Sequence, residues 1–308
     1  MSPLARRLAV PAAMILGLLL PVLPASAQPA SDGLKAAFSP AQAVLPSGGK
    51  LTVELHLKNE GAAEATVASA FASVDRGLKA EGEDGKALES KPASAAPGMG
   101  LPASIKGGQS LPFEIDLVAL FPGLAKPGRY RVTWSHPSFA QPTLLEVTTV
   151  EKYATIKTSL GDIVIEFHPE VAPKTVANFI ALAKKGFYNN TLFHRIIPGF
   201  MMQGGCPKGD GTGGPGYTIK AEFNARKHVA GTVSMARKQE PDSAGCQFFI
   251  CFAAISHLDE QYTVFAEVVR GMDVVKKVEP LGSRSGAPSQ KVVMEKVTVG
   301  DTLPEEKK

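Results

Sequence analysis

Phe193-His194-Arg195-Ile196-Ile197-Pro198-Gly199-Phe200-Met201-Met202-Gln203-Gly204-Gly205 reads as strand, turn and strand. Residues 192–197 are rich in aromatic and β-branched side chains, Pro198-Gly199 is a turn dipeptide, and residues 200–203 resume an extended run. Successive side chains of a strand point to opposite faces, so Met201 and Gln203 share one face and Met202 takes the other. A basic side chain, Arg195, stands just before the turn among apolar neighbours.

The surrounding 150 residues repeat the pattern. Residues 153–158 and 163–167 read as strands joined by a hairpin at Leu160-Gly161-Asp162. Val176, Phe179, Ile180 and Ala183 fall on one face at helical spacing. Pro173 in the first turn and Gly186 past the end bound a helix of about a dozen residues. Further strands are predicted at 231–236, 247–252, 263–269 and 292–299, with a short helix at 273–278. Eight strands and two helices fit a closed β-barrel whose ends the helices cover.

Residues 28–150 have a different texture. Leu51, Val53, Leu55 and Leu57 alternate with polar residues, as do Phe113, Ile115 and Leu117, and Tyr130, Val132 and Trp134. Residues 67–74 read as another strand, Leu145 and Val147 begin one more, and residues 78–110, rich in Gly, Ser, Ala and Pro, read as a long loop. Short strands with turn signals predict a β-sandwich, immunoglobulin-like in pattern only, with Trp134 in its core. Pattern supplies no function. Before this segment, residues 1–27 read as a signal peptide: Arg6 and Arg7, an apolar stretch too short for the ~20 residues of a span, and Ala25-Ser26-Ala27 before a cleavage after Ala27. The expected location is periplasmic or secreted, with membrane contact only through that peptide before cleavage. Residues 301–308 form a charged tail.

With 44% apolar and 20% charged residues in 308, the composition is that of an ordinary globular chain. Lys and Arg number 33 against 29 Asp and Glu. Removal of residues 1–27 leaves an excess of two, too small to make nucleic acid a principal partner. Three Cys exclude a disulfide-built scaffold. Cys246 and Cys251, five apart on one predicted strand, point to opposite faces; spacing alone leaves a Cys206–Cys246 bridge open.

The quoted stretch resembles the central signature of the cyclophilin family of peptidyl-prolyl isomerases. The likeness continues in order through Gly211-Thr212-Gly213-Gly214, Gly231-Thr232-Val233-Ser234-Met235-Ala236, Gly245-Cys246-Gln247-Phe248-Phe249-Ile250, Leu258-Asp259 and Tyr262-Thr263-Val264-Phe265, about half the chain. It implies a cyclophilin-like closed eight-stranded β-barrel, mainly β, acting on X-Pro bonds of exported or folding proteins. Arg195, Phe200 and Gln203 would be catalytic; Met201, Gly211, Ala236, Arg237, Gln247, Phe249, His257, Leu258 and Tyr262 would bind substrate. The implied partners are proline-containing polypeptides, with no cofactor. The rival from another class is a non-catalytic Pro-peptide binding or chaperone module.

The residue types suit that chemistry. Rotation about an X-Pro bond meets a barrier of ~18–20 kcal/mol because the C–N bond has double-bond character. No covalent bond breaks, so neither nucleophile nor metal is needed; the site must favour the twisted state over both planar ones. In that state the Pro nitrogen becomes a better acceptor, and a guanidinium donates without titrating. The Gly211–Gly216 cluster mimics a dinucleotide loop but opens no helix and sits in no βαβ unit. The six His lack ligand spacing, so no metal is expected. The chain departs from many eukaryotic members at His257, where they carry a Trp that hydrogen-bonds cyclosporin, and at Tyr262, Arg237 and Ala266.

Overall fold

The computed structural model describes residues 33–70, 73–91 and 99–304. The expected signal peptide lies outside them, as does the end of the charged tail. Among the described residues no helix is long and apolar enough to cross a membrane.

The first half builds two sheets. One is ordered β1 (Leu34–Ser39), β3 (Thr52–Asn59), β7 (Ser110–Asp116). The other is ordered β2 (Gln42–Pro46), β9 (Thr143–Val150), β8 (Gly128–Trp134), β5 (Leu78–Gly82), with β2 parallel to β9. A two-stranded pair joins β4 (Ala65–Thr66) to β6 (Ser104–Ile105), and a single helical turn, α1 (Leu117–Leu120), follows β7. Alternation decides what is buried: Val53, Leu55 and Leu57 of β3 share one core with Val132 and Trp134 of β8 and Leu145 and Val147 of β9. Trp134 is fully buried, and its indole N–H donates to the Val74 carbonyl at 3.0 Å.

Two expectations fail here. The described residues of 67–74 form no strand: the ladder of β4 ends at Thr66, Ser73 makes an isolated bridge to Gly100, and Val74–Gly77 is a 3-10 turn. The expected loop at 78–110 contains β5, whose Leu78 and Ala80 face the core. Lys79, Glu81 and Gly82 around them look loop-like in sequence. The strands at 34–46 carry no clear period in the sequence, because Pro40, Pro46 and short apolar side chains mask it.

The second half forms one antiparallel sheet. Its order is β12 (Thr191–Leu192), β18 (Val293–Gly300), β10 (Tyr153–Thr158), β11 (Gly161–Phe167), β17 (Val264–Arg270), β15 (Thr232–Met235), β16 (Phe248–Cys251), β14 (Met201–Gly204), β13 (Arg195–Ile197). The hairpin register closes at Thr158↔Gly161, so the loop is Ser159-Leu160, just upstream of the expected turn. The predicted strand at 192–197 is two strands, which corrects the count from eight to nine. Leu192 pairs with β18, whereas Arg195 pairs with β14, so the chain changes neighbours at Phe193-His194. An isolated bridge, Leu192↔Cys206, brings the first strand of the order beside the end of β14.

Helix α2 (Pro173–Lys184) spans the expected dozen residues and buries Val176, Phe179, Ile180 and Ala183. Its N-cap, Ala172, has no side-chain acceptor; Glu222 serves instead, accepting from the N–H groups of Lys174 at 3.1 Å and Thr175 at 2.8 Å. Phe179 stacks on Tyr188 at 4.8 Å and meets Phe248 edge-on at 5.4 Å. Each such buried ring is worth ~1.5–3 kcal/mol of apolar transfer. The second helix, α3 (Met272–Val278), starts one residue before its expected position.

Candidate active site

Strands β14 and β16 each present two apolar faces, whereas β15 turns Val233 and Met235 to the core and Thr232 and Ser234 to the other side. Met202, Val233, Phe248 and Ile250 point into the main core. On the opposite face Met201, Phe249 and Cys251 gather with Ile255 and Leu258 into a separate cluster, against which Phe200, Ala236 and Tyr262 pack. A continuous apolar run, which reads as core in sequence, therefore serves two bodies of side chains.

Above that cluster lies a cavity of about 110 Å³ lined by Arg195, Phe200, Met201, Gln203, Ala236, Arg237, Phe249, Leu258 and Tyr262. Its floor is apolar: Met201 and Phe249 are nearly buried. Its polar edge is a chain of side chains. Arg195 and Gln203 are register partners across β13 and β14. The guanidinium NH1 donates to Gln203 Oε1 at 3.4 Å, and Gln203 Nε2 donates to Gln247 Oε1 at 2.9 Å. Gln247 Nε2 in turn donates to the carbonyls of Gly211 at 2.8 Å and Gly213 at 2.9 Å. A second cavity of about 250 Å³ adjoins the first, sharing Gln203, Ala236 and Arg237 and adding Gly211 and Gln247.

The structure thus brings together eleven of the twelve sequence-predicted residues around these two cavities. His257 is the exception. It lines neither cavity and instead stacks on Phe200, with ring centroids 6.1 Å apart and planes 13° from parallel. Arg237 is tied down through its side chain. Its Nε donates to the Gln261 carbonyl and its NH1 to those of Lys238 and Gln239, and the guanidinium lies 4.5 Å from the Tyr262 ring centroid.

Two supporting residues escape the sequence reading. His228 lies behind the pocket floor, stacked on Phe249 with centroids 6.0 Å apart. Its Nδ1 faces Asp259 Oδ1 and its Nε2 faces Ser234 Oγ, both at 3.1 Å. Burial is the main cause that lowers its pKa, against the opposing pull of Asp259. Gly286, at φ +88°, lies against Arg195; a Cβ there would sit 2.8 Å from Arg195 Cγ. Ser283-Arg284-Ser285-Gly286 signals a turn but says nothing of the side chain it braces. Among the described residues no three His, Cys, Asp or Glu are grouped to hold a metal ion.

A family model described as cyclophilin type peptidyl-prolyl cis-trans isomerase matches residues 153–299. A peptidyl-prolyl cis-trans isomerase of Helicobacter pylori is 50% identical over 131 residues, which cover 41% of this chain and 80% of that protein. The chain belongs to the cyclophilin family. It is a peptidyl-prolyl cis-trans isomerase, mainly β in fold. Peptidyl-prolyl cis-trans isomerase B of Bacillus subtilis is 52% identical over 115 residues, covering 37% of this cyclophilin and 80% of that one. A cyclophilin-type isomerase of Cryptosporidium parvum, a crystal structure, aligns with a TM-score of 0.48 at 30% identity over 50% of this chain and all of that one. The catalytic reading thereby displaces the non-catalytic binding module.

Proposed function

We propose that the 110 Å³ cavity seats the proline ring of a polypeptide and that Arg195 lowers the barrier to rotation of the preceding bond. The observation that carries this is the pairing of an apolar floor, Met201 and Phe249, with one guanidinium on its rim, oriented by Gln203. The apolar floor holds the ring in planar and twisted states alike. The guanidinium donates to the Pro nitrogen once twisting has freed its lone pair, so this contact favours the twisted state. Gln203 keeps Arg195 aimed; Ala236, Gln247 and Gly211 edge the groove along which the flanking peptide lies, with Leu258 and Tyr262 closing the ring seat.

The test is turnover of X-Pro peptides by the purified protein and its Arg195→Ala variant. The variant loses most of kcat while peptide affinity changes little. A parallel loss of affinity and turnover would give Arg195 a binding role instead.

The same proposal places the enzyme outside the cytoplasm, in the periplasm or secreted, on the strength of Arg6-Arg7, the apolar stretch and Ala25-Ser26-Ala27. Its clients there are proline-containing segments of exported or folding proteins. Residues 28–150 are proposed as a separate immunoglobulin-like β-sandwich, a reading supported by two sheets that share one core. Residues 151–300 carry the isomerase as a cyclophilin-like barrel.

A further inference from the structure

Cys206 and Cys246 lie outside the pocket floor and take no part in the proposed chemistry. Strands β14 and β16 are antiparallel, with Gln203 opposite Phe249 and Gly204 opposite Phe248. Two more steps of that register set Cys206 opposite Cys246. Opposed residues in such a pair have Cα atoms ~4.5–5.5 Å apart, within the ~4.4–6.8 Å that a disulfide spans. The ladder itself ends at Gly204, but the two segments stay in contact: a Cβ on Gly205 would sit 2.6 Å from the Cys246 carbonyl oxygen. Both thiols are free and buried. Cys246 belongs to the main core and Cys251 to the pocket cluster on the other face, while Cys206, beyond Gly205 at φ +84°, is buried outside both.

Cys206 is also wired to the site. Its Sγ accepts the Gly213 N–H at 3.2 Å and donates to Asp210 Oδ1 at 3.7 Å. Gly213 is one of the two residues whose carbonyls hold Gln247, and Gln247 holds Gln203, which orients Arg195. We propose that Cys206 and Cys246 form a reversible thiol–disulfide pair whose oxidation state is transmitted to Arg195 through Gly213, Gln247 and Gln203. Two protein thiols become one disulfide. Their two protons and two electrons pass to a low-molecular-weight disulfide, which leaves as two thiols. Burial pushes the Cys206 thiol up, yet the N–H groups of Gly213, Asp210, Lys208 and Gly211 outweigh it and leave Cys206 below the ordinary range. Cys246 is pushed up to about 11 by burial and by the neighbouring Cys206. Oxidation draws the Cys206 sulfur from Gly213 and loosens the carbonyls on which Gln247 rests.

The transmission to turnover rests on the catalytic reading of Arg195; the disulfide does not, and the experiment separates them. The full protein is equilibrated, folded and again during refolding, with oxidised glutathione, then denatured, alkylated and mapped by mass spectrometry. Alkylated thiols fall from three to one, and the linked peptides contain Cys206 and Cys246. Cys246→Ser and Cys206→Ala each abolish the link. Three thiols surviving both treatments, or a bridge to Cys251, overturns the pair. Turnover of an X-Pro peptide falls about fivefold on oxidation, the effect of one weakened hydrogen bond. It returns with dithiothreitol, and Cys246→Ser does not respond. A mapped disulfide with unchanged turnover overturns the transmission while leaving the pair. A fully reduced enzyme whose turnover ignores Arg195→Ala sinks the catalytic reading instead.

Discussion

Arg195 and Gln203 face each other across β13 and β14, and the donor on the first meets the acceptor on the second at 3.4 Å. Gln203 is itself held by Gln247 at 2.9 Å, so the guanidinium is aimed by a relay that ends on backbone carbonyls. Gln203→Leu keeps the side chain's bulk and deletes both contacts. The expected outcome is a fall in kcat of about tenfold, the equivalent of ~1.4 kcal/mol, with KM for short peptides nearly unchanged. Steady-state kinetics on a series of X-Pro peptides reads the split. A rise in KM at constant kcat would make Gln203 a substrate contact with no orienting role.

Phe249 behaves differently, because its ring is part of the floor in every state of the substrate. It is wedged between His228 and Tyr262, with centroid distances of 6.0 and 5.8 Å. Phe249→Ala lowers affinity and turnover together and costs ~3 kcal/mol of stability from the lost packing. Calorimetry of peptide binding beside thermal melts checks both; turnover lost with full affinity retained would remove Phe249 from the floor.

Much of this site was legible in sequence because its residues sit in ordered blocks on short strands, where period two assigns faces. Met201 and Gln203 against Met202 is the clearest case. What escaped was support supplied from elsewhere in the chain. His228 and Gly286 reach the site across loops, and neither has a local pattern that marks its contact. The nine-strand count escaped for a related reason: the residue run 192–197 is uniformly strand-forming, and only three-dimensional pairing reveals that Leu192 and Arg195 serve different neighbours. In the first half, Pro40 and Pro46 hid two strands that become regular once β9 and β3 are beside them.

The buried histidines set a pH dependence of stability. His136, His168 and His228 are buried and His194 is half-buried, and all four have pKa values lowered first of all by burial. A lowered folded-state pKa means that the unfolded chain binds more protons below the ordinary His value of about 6.5. Their contribution is fully present above that pH and is lost progressively as pH falls from there through the lowered folded-state values. Thermal melts between pH 8 and pH 5 should therefore show Tm falling on the acid side of about 6.5, ahead of the carboxylate window near 4. For His228→Gln, which keeps a polar group between Asp259 and Ser234, the acid-side slope should be shallower. A Tm flat from pH 8 to 5 in the unaltered protein would show that these histidines are not held neutral.

Removal of residues 28–150 should leave turnover of short X-Pro peptides within about twofold, since every residue lining the two cavities lies after position 190. Catalysed refolding of whole proteins would suffer more, because an attached surface raises the local concentration of a client. The comparison of peptide and protein substrates for the truncated and full chains decides it. A large loss with short peptides would mean that the first half helps to shape the groove.

Cyclosporin sensitivity turns on His257. The family Trp offers an indole N–H and a broad apolar face, whereas the imidazole of His257 is smaller and lies stacked on Phe200, outside both cavities. The floor of Met201, Phe249 and Leu258 remains available to the macrocycle. One missing hydrogen bond and its apolar contact amount to ~1–3 kcal/mol, roughly ten- to a hundredfold in affinity. The unaltered enzyme should therefore be inhibited weakly, and His257→Trp should tighten inhibition by about that factor while changing peptide turnover little, because His257 reaches neither the ring seat nor Arg195. Titration of cyclosporin against both forms measures the difference. Equal inhibition of the two would mean that the Phe200 stack holds either ring away from the drug, and control of sensitivity would pass to the floor residues.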